Sequence, residues 1–141
     1  MTGRSEVVVV LVGMWWVASV TGDCTKLNSC SCQAVNGVID LSPLKANSGA
    51  AFKDIQASGD NWLYSWNPCK DFTEKQCKTA SACQFNQDKS DSHIIGTQDS
   101  ATFSTVGSDV LLTYSAVESG VLEVRNIQLF ILIQENCLKI R

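Results

Sequence analysis

Basic residues are scarce and histidine nearly absent: eleven Lys and Arg stand against fourteen Asp and Glu in 141 residues, with His93 the sole histidine. The basic residues are also scattered, which excludes a nucleic-acid partner, because affinity for a phosphate backbone needs clustered Lys and Arg. Zinc is disfavoured too: Cys30-Ser31-Cys32 lacks the two-residue spacing of a zinc knuckle, and His93 is distant in sequence. No nucleophile with a base, no carboxylate pair and no ligand cluster stands out, so neither an enzyme nor a cofactor is expected. His93 lies among Asp88, Asp91 and Ser92 and reads as a solvated turn residue, not as part of a triad or a cation site. After the first apolar run no segment is long enough to cross a bilayer; residues 127–133 make only a strand's length. No Asn-x-Ser/Thr acceptor occurs, Asn28-Ser29-Cys30 being only a rare variant of that signal, and there is no internal repeat.

What is present is a sizeable core: 45% hydrophobic against 18% charged residues, at a length suited to one domain. At the N-terminus Arg4 leads into VVVVLVGMWWVASV (7–20), and Val20-Thr21-Gly22 offers small residues at a cleavage position. Residues 1–22 are therefore expected to be a helical signal peptide cleaved after Gly22, the apolar run being short of the roughly twenty residues an anchor needs. All seven cysteines (Cys24, Cys30, Cys32, Cys69, Cys77, Cys83 and Cys137) follow that point and read as a disulfide framework formed in the secretory pathway. Seven is odd. One thiol must therefore pair with another chain or lack its mate.

Past the leader the pattern is strand and turn. Asn36-Gly37 marks a turn before a short strand stopped by Pro43, and WLYSWNPC (62–69) alternates until Pro68, with its aromatics expected in the core. CKDFTEKQC is a charged connection; TASACQF, IIGTQDSATFST and VLLTYSAV read as strands, separated by DKSDSH and by a turn at residues 106–109. Glu118-Ser119-Gly120 is a further turn, and VRNIQLFILI a buried strand. Strands at close, even spacing without helical period predict an all-β fold, an antiparallel β-sandwich or flattened β-barrel. Within it Gln84 carries an acceptor and a donor on one amide and can bridge two adjacent sugar hydroxyls.

Taken in order, WLYSWNPC, then Cys77 to Gln84, then IIGTQDSATFS and VLLTYS, the chain resembles the mannose 6-phosphate receptor homology domains, or P-type lectins, over residues 24 to 114 or a little beyond. The resemblance implies one β domain over residues 23–141, without a membrane span in the mature chain, that binds mannose or mannose 6-phosphate on N-glycans or glycoproteins in the secretory or lysosomal lumen. It makes Gln84 a sugar contact and Arg125 the candidate for the family's binding arginine. It pairs Cys77 with Cys83 and sends Cys69 back to one of Cys24, Cys30 or Cys32, and it makes Tyr114 a structural tyrosine. The family's binding glutamate and tyrosine lie on later strands that QENCLKIR does not supply, and Glu135 matches no family motif. The C-terminal strands are thus expected to be incomplete, leaving VRNIQLFILI an exposed edge that, with the odd cysteine, promotes self-association. The alternative function is a secreted, disulfide-bonded β domain that has lost the sugar site and acts through protein contacts.

Overall fold

The computed structural model describes residues 6–11, 14–19, 23–57, 59–107, 109–117, 124–132 and 137–140. The expectation of a helical leader is corrected: Glu6–Leu11 (β1) and Met14–Ser19 (β2) are antiparallel strands, with Leu11 opposite Met14. Composition accounts for this, because Val7 to Val10 are β-branched and stiff in a helix, and Trp15 and Trp16 share their preference for a pleated backbone. The cleavage point at Gly22 and the turn at Glu118-Ser119-Gly120 lie outside the described residues.

Thr25–Asn28 (β3), Ser31–Ala34 (β4) and Gly37–Asp40 (β5) form a small antiparallel sheet cross-linked locally by the Cys24–Cys32 disulfide. A 3-10 turn with Pro43 in its first positions stops β5. Phe52–Gln56 (β6) and Leu63–Trp66 (β7) follow, then the hairpin of Phe72–Glu74 (β8) and Cys77–Ala80 (β9). Ala82–Phe85 (β10) and Ser92–Gly96 (β11) complete a four-stranded sheet in the order β11-β10-β7-β6. Thr102–Val106 (β12), Asp109–Val117 (β13), Val124–Leu132 (β14) and Cys137–Ile140 (β15) make a second four-stranded sheet in sequence order. Every pairing is antiparallel, and no sheet closes on itself among the described residues, so the sandwich alternative holds and the barrel does not.

The core lies between the two large sheets. Alternation along β13 buries Val110, Leu112 and Tyr114, and the last two meet Trp66, Ala82 and Ile95 of the facing sheet. Trp66 stacks on Phe52 at 4.9 Å, and its indole Nε1 donates to the Tyr114 hydroxyl at 3.1 Å, so the one polar atom of each buried ring is satisfied by the other. Tyr114 thus has the structural role the resemblance implied, and burial pushes its pKa up to about 12.

Gly96 explains the closeness of the sheets. A Cβ there would stand 2.5 Å from Tyr114 Cβ and 3.3 Å from Ala82 Cβ, atoms next to the backbone that cannot swing aside. Gly96→Ala is expected to destabilise the domain by about 1–3 kcal/mol, the usual cost of overpacking, measured as a lower urea midpoint with an unchanged slope. An unchanged midpoint would contradict the close approach.

The opposite face of the first sheet carries Cys83, Phe85, Leu63 and Ile94 and is covered by the β8–β9 hairpin through Phe72, Cys77 and Ala80. Both faces of β10 are therefore buried at Ala82, Cys83 and Phe85, with Gln84 the half-buried exception. The Cys77–Cys83 disulfide fastens the hairpin there. Lys89, in the β10–β11 turn, adds an ionic fastening: its ammonium lies 2.9 Å from Glu74, also meets Asp54 of β6, and stands over the Phe85 ring at 5.3 Å.

Between Ala82 and Cys83 the β10–β11 ladder is irregular. Ala82 faces Gly96, but Cys83 faces Ile94 and Gln84 faces His93, so Ile95 is the extra residue of a β-bulge. Ile95 joins the inter-sheet core while Ile94 joins the opposite face.

The expected bare edge at VRNIQLFILI is corrected as well. Residues Leu129–Leu132 of β14 pair with Cys137–Ile140, so QENCLKIR does supply a strand, which satisfies that part of the row of N–H and C=O groups. Cys69 is bonded to Cys30, with 4.7 Å between Cα atoms. Three disulfides take up six of the seven cysteines and mark an oxidising environment; the seventh, Cys137, begins β15. No helix among the described residues is long and apolar enough to cross a membrane.

Candidate functional site

Gln84 sits at the centre of a row that crosses the first sheet: His93 is its neighbour on β11, Tyr64 on β7, and Ile55 lies beyond Tyr64 on β6. Cross-strand partners project from the same face. That face is the one turned towards the second sheet, since Ala82 and Trp66, two residues along the same strands, belong to the inter-sheet core. Where the apolar core ends, the row becomes polar.

Arg125 reaches the row from the second sheet. It lies on β14 opposite Ala116 of β13, and its guanidinium NH1 donates to Gln84 Oε1 at 3.5 Å. Two residues 41 positions apart, named together for one site by the resemblance, are thereby brought together across the sandwich. Gln84 Nε2 in turn donates to the Tyr64 hydroxyl at 3.4 Å. These are long hydrogen bonds, at the weak end of the range, so the amide is oriented without being saturated.

Tyr64 is held firmly from the other side. Its hydroxyl donates to Asp60 Oδ2 at 2.7 Å, while Asp60 Oδ1 accepts the Trp62 backbone N–H at 2.9 Å. Burial, and then the neighbouring Asp60 carboxylate, push the Tyr64 pKa up to about 12, so the phenol remains protonated and a donor throughout the neutral range. The ring packs on the inter-sheet core, as expected for the aromatics of WLYSWNPC, but its hydroxyl end emerges beside Gln84. Tyr64 and Asp60 are the site residues that the sequence did not reveal. The signal for Tyr64 was its place on the strand pairing with β10, which becomes legible only once the register is fixed.

His93 flanks the row, with Nε2 3.0 Å from Asp91 Oδ2 and the edge of its ring towards Trp62, 5.9 Å between centroids. The residues of its turn go separate ways: Asp88 caps the turn by accepting from Ser90, and Ser92 Oγ donates to Gln76 Oε1. The Asp88 carboxyl is lowered from its ordinary value by those Ser90 hydrogen bonds. Among the described residues no three His, Cys, Asp or Glu side chains converge as a metal site. Glu135 lies outside the described residues.

The arrangement presents an amide flanked by a guanidinium, a phenol and an imidazole on a half-buried face. Such a set offers neutral donors and acceptors together with one charged donor, a combination to which a polyhydroxylated ligand is chemically suited. No protein-family model, no curated protein and no solved structure matches the chain.

Proposed function

We propose that this chain is a carbohydrate-binding module, lectin-like and without catalytic activity, that recognises mannose or mannose 6-phosphate on glycoproteins of the secretory and lysosomal pathway. The observation that carries the reading is the meeting of Gln84 and Arg125 across the sandwich, with Oε1 and NH1 3.5 Å apart. Two residues assigned to one ligand by resemblance alone stand close enough to touch the same sugar ring. The apolar leader of residues 1–22 and the three disulfides accord with delivery to an oxidising lumen.

Gln84→Ala removes both the donor and the acceptor at the centre of the row. It is expected to reduce binding on an array of mannose- and mannose 6-phosphate-terminated glycans to background, with multivalent display making up for a weak single site. Binding retained by the variant would overturn the assignment, and the two sets of glycans separate plain from phosphorylated sugar.

A second reading has its own observation. The N-terminal sheet and its β4–β5 turn expose Leu27, Val35 and Val38, apolar side chains that a protein partner would cover. A folded wild-type protein that binds no glycan on the array favours that reading.

A further inference from the structure

A glutamine amide can be turned over to exchange its oxygen and nitrogen, and only its surroundings decide which way it faces. At Gln84 they decide it from both sides. Arg125 has no acceptor, so whatever faces its NH1 must accept, and that is Gln84 Oε1 at 3.5 Å. Tyr64 has one hydroxyl hydrogen, already given to Asp60 Oδ2 at 2.7 Å, so towards Gln84 its oxygen only accepts, and Nε2 lies there at 3.4 Å. The direction of donation therefore runs unbroken from Arg125 through Gln84 and Tyr64 to Asp60.

Asp60 is itself pinned in place. The Trp62 N–H holds its Oδ1 at 2.9 Å, and the Gln56 side chain donates to its backbone carbonyl at 3.2 Å. The bond to Tyr64 is the short one in the relay and the two at Gln84 are the long ones, so the carboxylate governs the phenol and the phenol governs the amide. Chains of aligned hydrogen bonds also polarise one another, which strengthens the ordering at the far end.

We infer that Asp60 is a positioning residue of the Gln84 site: acting through Tyr64, it fixes the amide with nitrogen towards β7 and oxygen towards β14. The consequence for a ligand rests on the carbohydrate reading above. A sugar hydroxyl on the β7 side of Gln84 must accept, and its neighbour on the β14 side must donate. That selects one of the two ways in which a pair of adjacent hydroxyls can dock.

The test separates the two levels. In Asp60→Asn, Oδ1 keeps the Trp62 N–H, and an NH2 group replaces the acceptor facing Tyr64. The phenol hydrogen then turns towards Gln84, and the amide loses its single orientation. In isotope-labelled protein the two Gln84 Hε2 protons are expected to show NOEs to the Tyr64 ring and separate shifts. Asp60→Asn should weaken those NOEs severalfold and bring the shifts close to those of a free glutamine. Tyr64→Phe, which removes the acceptor without touching Asp60, should give the same signature, with the Trp66 indole resonance reporting that the core is intact. Titration with methyl α-D-mannopyranoside should then show a loss of roughly tenfold in affinity for Asp60→Asn, about the contribution of one charge-linked hydrogen bond. Unchanged Gln84 amide NOEs in Asp60→Asn would overturn the inference. If the NOEs change but the wild-type protein does not bind the mannoside, the positioning role stands and the carbohydrate reading falls.

Discussion

The Cys30→Ala/Cys69→Ala double variant is expected to lose about 4 kcal/mol of stability. The two residues are 39 apart in sequence, and closing a loop of that length in the unfolded chain removes about that much conformational free energy in the chain-entropy account. The location makes the effect larger than a local one. The other two disulfides span separations of 8 and 6 and act within the N-terminal sheet and at the β9–β10 connection. Cys30–Cys69 alone bonds the N-terminal sheet to the end of β7. Without it, that sheet is held by the chain itself, by the packing of Cys24 and Cys32 with Val110, and by Lys26, which donates to the Ala101 carbonyl. Replacing both residues avoids leaving a lone thiol that could attack a remaining disulfide. Urea denaturation should show the loss, and hydrogen exchange should show β3–β5 opening before the central sheet. A double variant as stable as wild type, with unchanged exchange in β3–β5, would refute the tie.

Trp66→Ala is expected to cost about 3–5 kcal/mol, the range for truncating a large buried aromatic. Trp66 is wholly buried and stacked on Phe52, and it carries the hydrogen bond that satisfies Tyr114. Its loss opens a cavity between the sheets and leaves the Tyr114 hydroxyl buried without its indole partner. Trp66→Phe, which retains most of the volume, isolates the second effect and should cost markedly less. Against a total stability of about 5–15 kcal/mol, the alanine variant leaves a domain that melts far below the wild type, if it folds at all. A thermal or urea midpoint within error of wild type would sink the view that this ring is the keystone of the inter-sheet core.

Much of this fold was legible because strands declare themselves locally. The alternation in VLLTYSAV and the stop at Pro43 act within a few residues, and the strands there fall where those signals place them. Elsewhere local signals misled, since IIGTQDSATFST divides between β11 and β12 of different sheets, CKDFTEKQC contains β8, and Ser92 and His93 of DKSDSH belong to β11. Gln84 was legible for its chemistry, and its neighbour Cys83 as a cysteine of the framework. What could not be read is what depends on pairing between distant segments. Tyr64 meets Gln84 only because β7 and β10 are neighbours in one register, and Asp60 enters only through Tyr64. The helical form expected of residues 1–22 was wrong, and the strand at the C-terminus was missed, for a different reason. An apolar run of that length is compatible with a helix or with paired strands, and a segment as short as CLKI has too few residues to show a period.

The extra residue in β11 sets a boundary that substitution cannot easily move. With Ala82 against Gly96 and an unbroken ladder, Gln84 would stand opposite Ile94 instead of His93, and an apolar side chain would occupy the polar row. The bulge is what lets Gly96 lie against Ala82 and His93 flank Gln84 at once; deleting Ile95 would straighten the ladder with Gln84 still opposite His93, and the loss would fall on the inter-sheet core, which gives up the Ile95 side chain.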